Sequence, residues 1–179
     1  MKKDNWILVI FILTFVLSFI FGTISSFVSS MNVLLLSILL IGIIFIGIIF
    51  DMIGVAVLSC EEATFHAKAS RKITGSRESI KLIKQANKTS SICNDVIGDI
   101  CGIVSGSISA SLVVMLLDTP LMAIVITAIV SSLTVGGKAI GKKIAIKKAE
   151  DIVFLVGKIL SKISVGEKKN SVGKKNKTV

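Results

Sequence analysis

Four stretches of the chain are apolar almost without interruption, separated by short polar intervals. Trp6 to Val28 carries only scattered Ser, Thr and Gly among aliphatic and aromatic residues, and at ~1.5 Å per residue it is long enough to cross a bilayer. Val33 to Ser59 is a second run, with Gly42, Gly47 and Gly54 as close-packing points and Asp51 in its last third. Thr89 to Leu117 is a third, and Pro120 opens a fourth that ends near Gly137. Asp118-Thr119-Pro120 predicts a tight turn between the last two, and Ser29 to Asn32 an uncharged turn after the first. The pattern predicts an all-α integral membrane protein of four spans, about 6–28, 33–59, 89–117 and 120–137, which together make a transmembrane domain over residues 1–137.

The intervals carry a different rhythm. Between Cys60 and Lys88, Ile73, Ile80, Leu82 and Ile83 alternate with Arg71, Lys72, Arg77, Lys81 and Lys84. That predicts an amphipathic helix at the membrane surface, broken at Gly75. From Lys138 a basic amphipathic segment (Ile144, Ile146, Ile152, Val153, Leu155, Val156, Ile159, Leu160, Ile163) runs to Ser164, and the Lys/Asn/Ser/Gly-rich tail from Glu167 is expected to be disordered. Residues 138–179 form this second region.

Composition agrees with the pattern: 53% of residues are hydrophobic, more than a soluble domain of this length carries. The formal charge of +10 is segregated, with two Lys before residue 4, seven Lys and Arg from Lys68 to Lys88, and twelve from Lys138 to Lys177. Basic residues between apolar spans mark the cytoplasmic side, so both termini are expected in the cytoplasm and the protein in the cell membrane, multi-pass. Anionic lipid is the expected partner of these segments. Nucleic acid is not, since only Phe65 and Phe154 stand among the basic residues. A cleaved signal peptide would share the charged start, yet the first run is long for one and no Ala-x-Ala site follows, so a retained helix is expected. Cys60, Cys93 and Cys101 are an odd set without zinc-site spacing, and His66 is the single histidine. Free thiols and no Cys/His metal centre follow.

Candidate chemistry lies where the third span opens. Counted on an α-helix, Asp95, Gly98, Asp99, Gly102, Ser105, Gly106 and Ser109 share one face, and Val96, Ile97, Ile100, Ile103, Val104 and Ile108 the other. Carboxylates in a span normally face a bundle interior, a water-filled cavity or an ion. Asp51 lies eight residues before Ser59 and Asp99 eight after Ser91, so adjacent antiparallel spans put both ~12 Å inside the boundary. Asp51, Asn94, Asp95 and Asp99 are then expected in one layer with no basic residue at that depth. Such carboxylates are tolerated by protonation, by solvation or by a bound cation. Carboxylate, amide, hydroxyl and backbone carbonyl oxygens suit Mg2+ or Ca2+.

Other readings of the same residues stay open. The glycines at 98, 102 and 106 fit a helix-packing stripe or a homodimer seam, and Asp95 and Asp99 could snorkel to interfacial water. Catalysis has little support: no Gly-x-Ser-x-Gly elbow or Ser/His/Asp set is present, and Gly98-Asp99 matches only half of the Gly-x-Gly-Asp of intramembrane aspartyl proteases.

Phe50-Asp51-Met52-Ile53-Gly54-Val55-Ala56, then Ala67-Lys68-Ala69-Ser70-Arg71-Lys72-Ile73-Thr74-Gly75, then Cys93-Asn94-Asp95-Val96-Ile97-Gly98-Asp99 resemble, in this order, three segments of the transmembrane domain of the CorB/CorC (CNNM-type) magnesium transporters. The resemblance implies a family core in the last three spans, with Trp6 to Val28 as an extra helix. It implies a minimal, dimeric relative in which the basic segment and tail stand where full-length members carry paired nucleotide-sensing domains. It carries a metal-binding role best onto Asn94. The family's Ser-Gly-Ser-Glu-like segment is not found around Asp51, and Asp99 replaces a neutral polar side chain. The expectation is therefore a non-enzymatic protein that binds or transports Mg2+ through Asp51, Asn94, Asp95 and Asp99, with Ser91, Gly98 and Ser105 nearby. The alternative is a non-transporting membrane scaffold associating through the glycine stripe.

Overall fold

The computed structural model describes residues 3–28, 32–116 and 120–175, and every regular element among them is helical. Helix α1 covers Lys3–Val28 and α2 Val33–Ser59. Two extended residues, Cys60 and Glu61, turn the chain into α3 (Glu62–Ser70) and α4 (Ser76–Lys84). Helix α5 (Ala86–Ser91) then leads through a π-helical turn, Ile92–Gly98, into α6 (Asp99–Leu116). Helices α7 (Pro120–Lys147) and α8 (Ala149–Lys175) complete the chain. Most of Ser29–Asn32 and of Asp118-Thr119-Pro120, where turns are expected, lies outside the described residues.

Three helices are long and apolar enough to cross a membrane, Val33–Ser59, Ala86–Leu116 and Ala123–Lys147, and they mark a membrane protein. The described apolar part of α1, Ile7–Ile20, is shorter than these. The boundary expected at residue 137 falls inside α7, which runs on through Lys138 to Lys147. The helix continues through Gly136 and Gly137, and tertiary contact uses the second of them: α2 packs so closely that Ile48 lies against Gly137, and Ile48 and Met52 against Gly141, while Gly136 faces open space. The tail expected to be disordered is likewise helical as far as Lys175. Residues 176–179 of that tail lie outside the described residues.

Helices α2 and α6 are antiparallel neighbours, with Gly47 beside Cys101, Asp51 beside Gly98 and Gly54 beside Asn94. One core fills this seam with Leu36, Leu40, Val96, Ile100, Val104, Ile108 and Leu112, flanked by Ile10 and Leu17 of α1. A second core lies at the end of the bundle where α2 stops and α5 starts, the basic end. There Ala56, Val57, Phe65, Ala145, Ala149 and Val153 are buried together. Of the apolar face expected on a membrane surface, Ile80, Leu82 and Ile83 of α4 are partly buried against this second core, while Ile73 is exposed.

The element against α4 is α8, which is patterned in reverse of a soluble amphipathic helix. Ala149, Val153, Gly157 and Ser161, three of them small, are buried at steps of four, while Leu155, Ile159 and Ile163 are exposed. Small residues let α8 approach α4 to backbone contact. Gly75 sits there at φ +95°, a conformation L side chains rarely adopt, and a Cβ on it would stand 2.7 Å from the Lys158 amide nitrogen. Ser79 closes the crossing by donating its Oγ–H, within 3.0 Å of the Gly75 carbonyl and 3.1 Å of the Val153 carbonyl. Helix α3 is tied on from the side. Thr64 donates to Glu150 at 3.1 Å, and Lys68 sits 5.1 Å from the ring centres of both Phe65 and Phe154.

Candidate functional site

Asp51 is the one acidic residue buried inside the bundle among the described residues, at 3% exposure. It points across the seam at Gly98, where the absence of a side chain makes room: a Cβ there would stand 2.8 Å from Asp51 Oδ1. The carboxylate is not without cations. Lys138 Nζ and Lys142 Nζ of α7 each lie 3.8 Å from its Oδ2. Lys138 also donates a hydrogen bond to the Gly98 carbonyl at 3.1 Å. One lysine therefore links α2, the π turn and α7.

This corrects the expectation that no basic residue stands at the depth of Asp51. Lys138 is nine residues before the end of α7 at Lys147, which places it at about the depth of Asp51. Treating Lys138 as the first residue past a span hid it. The sequence does hold a signal for the pair: Gly137-Lys138 and Gly141-Lys142 repeat at a spacing of four, so one helix edge offers two close-packing glycines with a lysine flanking each.

Toward the basic end, Asn94 lies against Gly54. Its Nδ2 donates to Ser90 Oγ at 3.2 Å, while its Oδ1 is buried without a hydrogen-bond donor. A buried amide oxygen left unpaired costs ~1–3 kcal/mol and calls for an explanation; among the described residues Ser76 Oγ and Ser109 Oγ are likewise buried without a partner. Asn94 belongs to the π-helical turn. Turns of this kind are rare and concentrate at functional sites.

The expected layer of four side chains is not assembled in this form. Asp51, Gly98 and Asn94 lie along the α2 seam, whereas Asp95 and Asp99 are exposed on the outer surface of the same helix. Ser91 is half-buried, and Ser105 is buried but bonded back to the Gly102 carbonyl at 2.9 Å. The expected polar face and apolar face are also not segregated as counted: Val96, Ile100, Val104 and Ile108 bury together with Ser105 and Ser109. Two physical causes operate. The π turn advances by fewer degrees per residue than an α-helix, so α-helical counting through 92–98 misassigns the faces. Burial of hydrocarbon against α2 then decides which side turns inward. Among the described residues, no group of three or more His, Cys, Asp or Glu side chains is gathered around one point.

At the basic end a second set of charges fastens the short helices. Glu62 accepts from His66 Nε2 at 2.8 Å and pairs with Lys84 at 3.5 Å. The hydrogen bond from His66 holds the Glu62 carboxyl below its usual range, with Lys84 adding to the effect. Burial pushes the thiol of Cys60, at the end of α2, above its ordinary value, and Glu150 raises it further. Comparison with known proteins adds no function: no family model, no curated protein and no solved structure matches the chain.

Proposed function

We propose that this protein moves a divalent cation, Mg2+, across the cell membrane through the polar seam between α2 and the π turn. The observation that carries the reading is the pair of oxygens on that seam: the buried carboxylate of Asp51 and the buried, donor-less Oδ1 of Asn94, which belong to the neighbouring contacts Asp51–Gly98 and Gly54–Asn94. Both are hard oxygen donors of the kind Mg2+ takes, alongside waters it gives up reluctantly. Ser90 Oγ and the Gly98 carbonyl extend the set. Asp95 and Asp99, exposed at similar depth, would raise the local cation concentration. Ser91 and Ser105 take no part in this form of the site.

In this reading the basic end faces the cytoplasm, α1 is the fourth span, and the protein acts as a homodimer. The exposed aliphatic side chains of α8 meet anionic lipid, with Lys158 and Lys162 among them. The decisive experiment is Mg2+ uptake into liposomes carrying the purified protein and an internal Mg2+ dye. Saturable uptake, abolished by Asp51→Asn and strongly reduced by Asn94→Ala, is the expected result. Uptake no faster than in protein-free liposomes refutes the reading.

A second reading has its own observation. Gly102 and Gly106 have open space where a side chain would go, and Asp51 is already neutralised by lysines, as a scaffold associating through α6 would require. In that case Gly106→Leu dissociates the protein in detergent, and Asp51→Asn leaves every assembly property intact.

A further inference from the structure

We infer that Lys138, supported by Lys142, is a tethered counter-ion of the cation site: it holds the Asp51 carboxylate while the site is vacant and yields it to an incoming divalent cation. The inference rests on the divalent-cation reading above and names how the site is regulated.

The geometry is that of a charge held in reserve. Charge-assisted N–H···O bonds close to ~2.7–2.9 Å, whereas both ammonium nitrogens stand 3.8 Å from the same Oδ2. They neutralise Asp51 without a short bond that would fix them. The hydrogen bond Lys138 does make, 3.1 Å to the Gly98 carbonyl, keeps its nitrogen beside the site. A lysine suits this task better than an arginine. Its ammonium is a compact point charge on a flexible stem, while the guanidinium fork would lock bidentately onto the carboxylate. Lys142 has somewhere to go, since half of its side chain is already exposed (51%). Lys138 is more enclosed (20%), and its displacement would free the Gly98 carbonyl as a further oxygen ligand.

Charge balance selects the ion. Two ammonium groups leaving and one divalent cation arriving keep the formal charge of the buried seam unchanged, whereas a single monovalent ion leaves it one charge short. The lysines also lower the affinity for the cargo, as conduction requires: a site must be attractive enough to fill and weak enough to empty.

The test is calorimetric titration of MgCl2 into the full chain in detergent, comparing the wild type with Lys138→Gln and Lys142→Gln. Removing a positive charge that the incoming ion must displace from Asp51 tightens Mg2+ binding by about tenfold or more for Lys138→Gln. The gain for the half-exposed Lys142, where solvent screens the charge, is roughly threefold. If Lys138→Gln loses its helical circular dichroism, Lys142→Gln carries the test with that smaller gain. Wild-type binding that is unchanged or weakened in the folded variants overturns the counter-ion role and leaves the cation reading standing. No binding by the wild type or by either variant overturns both.

Discussion

Asp51 and Lys138 are the pair whose coupling can be worked out most directly from the structure. At 3.8 Å and an effective dielectric of about 20, their Coulomb attraction is about 4 kcal/mol before desolvation is subtracted. Lys142 lies at the same distance, but its half-exposed side chain makes its share smaller. Lys138→Met removes the better-buried cation and leaves the Asp51 carboxylate to a screened partner, a loss of about 2–4 kcal/mol in unfolding free energy. Asp51→Asn keeps the shape and leaves Lys138 bonded to the Gly98 carbonyl, so it costs only about 1–2 kcal/mol. In the double variant the orphaned carboxylate no longer exists. Its destabilisation should fall short of the sum of the singles by about 1–3 kcal/mol. The assay is unfolding of the detergent-solubilised protein by titration with a denaturing detergent, followed by circular dichroism. Losses that add to within about 0.5 kcal/mol would mean the two side chains do not interact, and the structural basis of the site would be wrong.

Three further outcomes are expected. Gly157→Ala drives a Cβ to 2.5 Å from the Gly75 carbonyl and against Ser79 Oγ; overpacking of this kind costs about 1–3 kcal/mol, read as a lower unfolding midpoint and faster proteolysis between α3 and α4, and an unchanged midpoint contradicts the α4–α8 crossing. The depressed pKa of Glu62 means that its pairing with His66 and Lys84 is intact above the ordinary glutamate range and is lost as pH falls through the lowered value; a carboxyl NMR titration should show a midpoint below that of free glutamate, and a midpoint at or above it refutes the pairing. Cys60, whose thiol is pushed upward, should alkylate more slowly at neutral pH than a free cysteine and catch up as pH rises, and peptide-mapped iodoacetamide rates that match the free thiol at pH 7 would count against its burial.

The second span was legible to the residue: the run Val33 to Ser59 is also the extent of α2, because nothing competes with helix formation in an apolar stretch that must satisfy its own backbone in lipid. Gly75 was legible as a break for a similar reason, since glycine alone takes a positive φ there without strain. Depth matching across the seam held as well. Asp51, eight residues from one boundary, was expected level with Asp99, and it lies beside Gly98. Depth follows from counting rise per residue, and that survives the π turn to within a residue or two.

Facing did not survive. Whether Asp95 and Asp99 turn toward α2 depends on rotation about the helix axis, which one π turn alters and which sequence periodicity assumes to be constant. The partners of Asp51 were hidden for a different reason: Lys138 and Lys142 lie 87 and 91 positions further along the chain, on a helix whose end could not be read from composition once lysine was taken to mean water. The sequence by itself determined that this chain is helical, membrane-spanning and basic at one end, because hydropathy and charge act locally on each segment. Only the tertiary structure decided which helix lies against which, and so whether a buried carboxylate waits for an ion from solution or already holds the ammonium groups of its own chain. That choice depends on distances of a few ångströms between residues far apart in sequence.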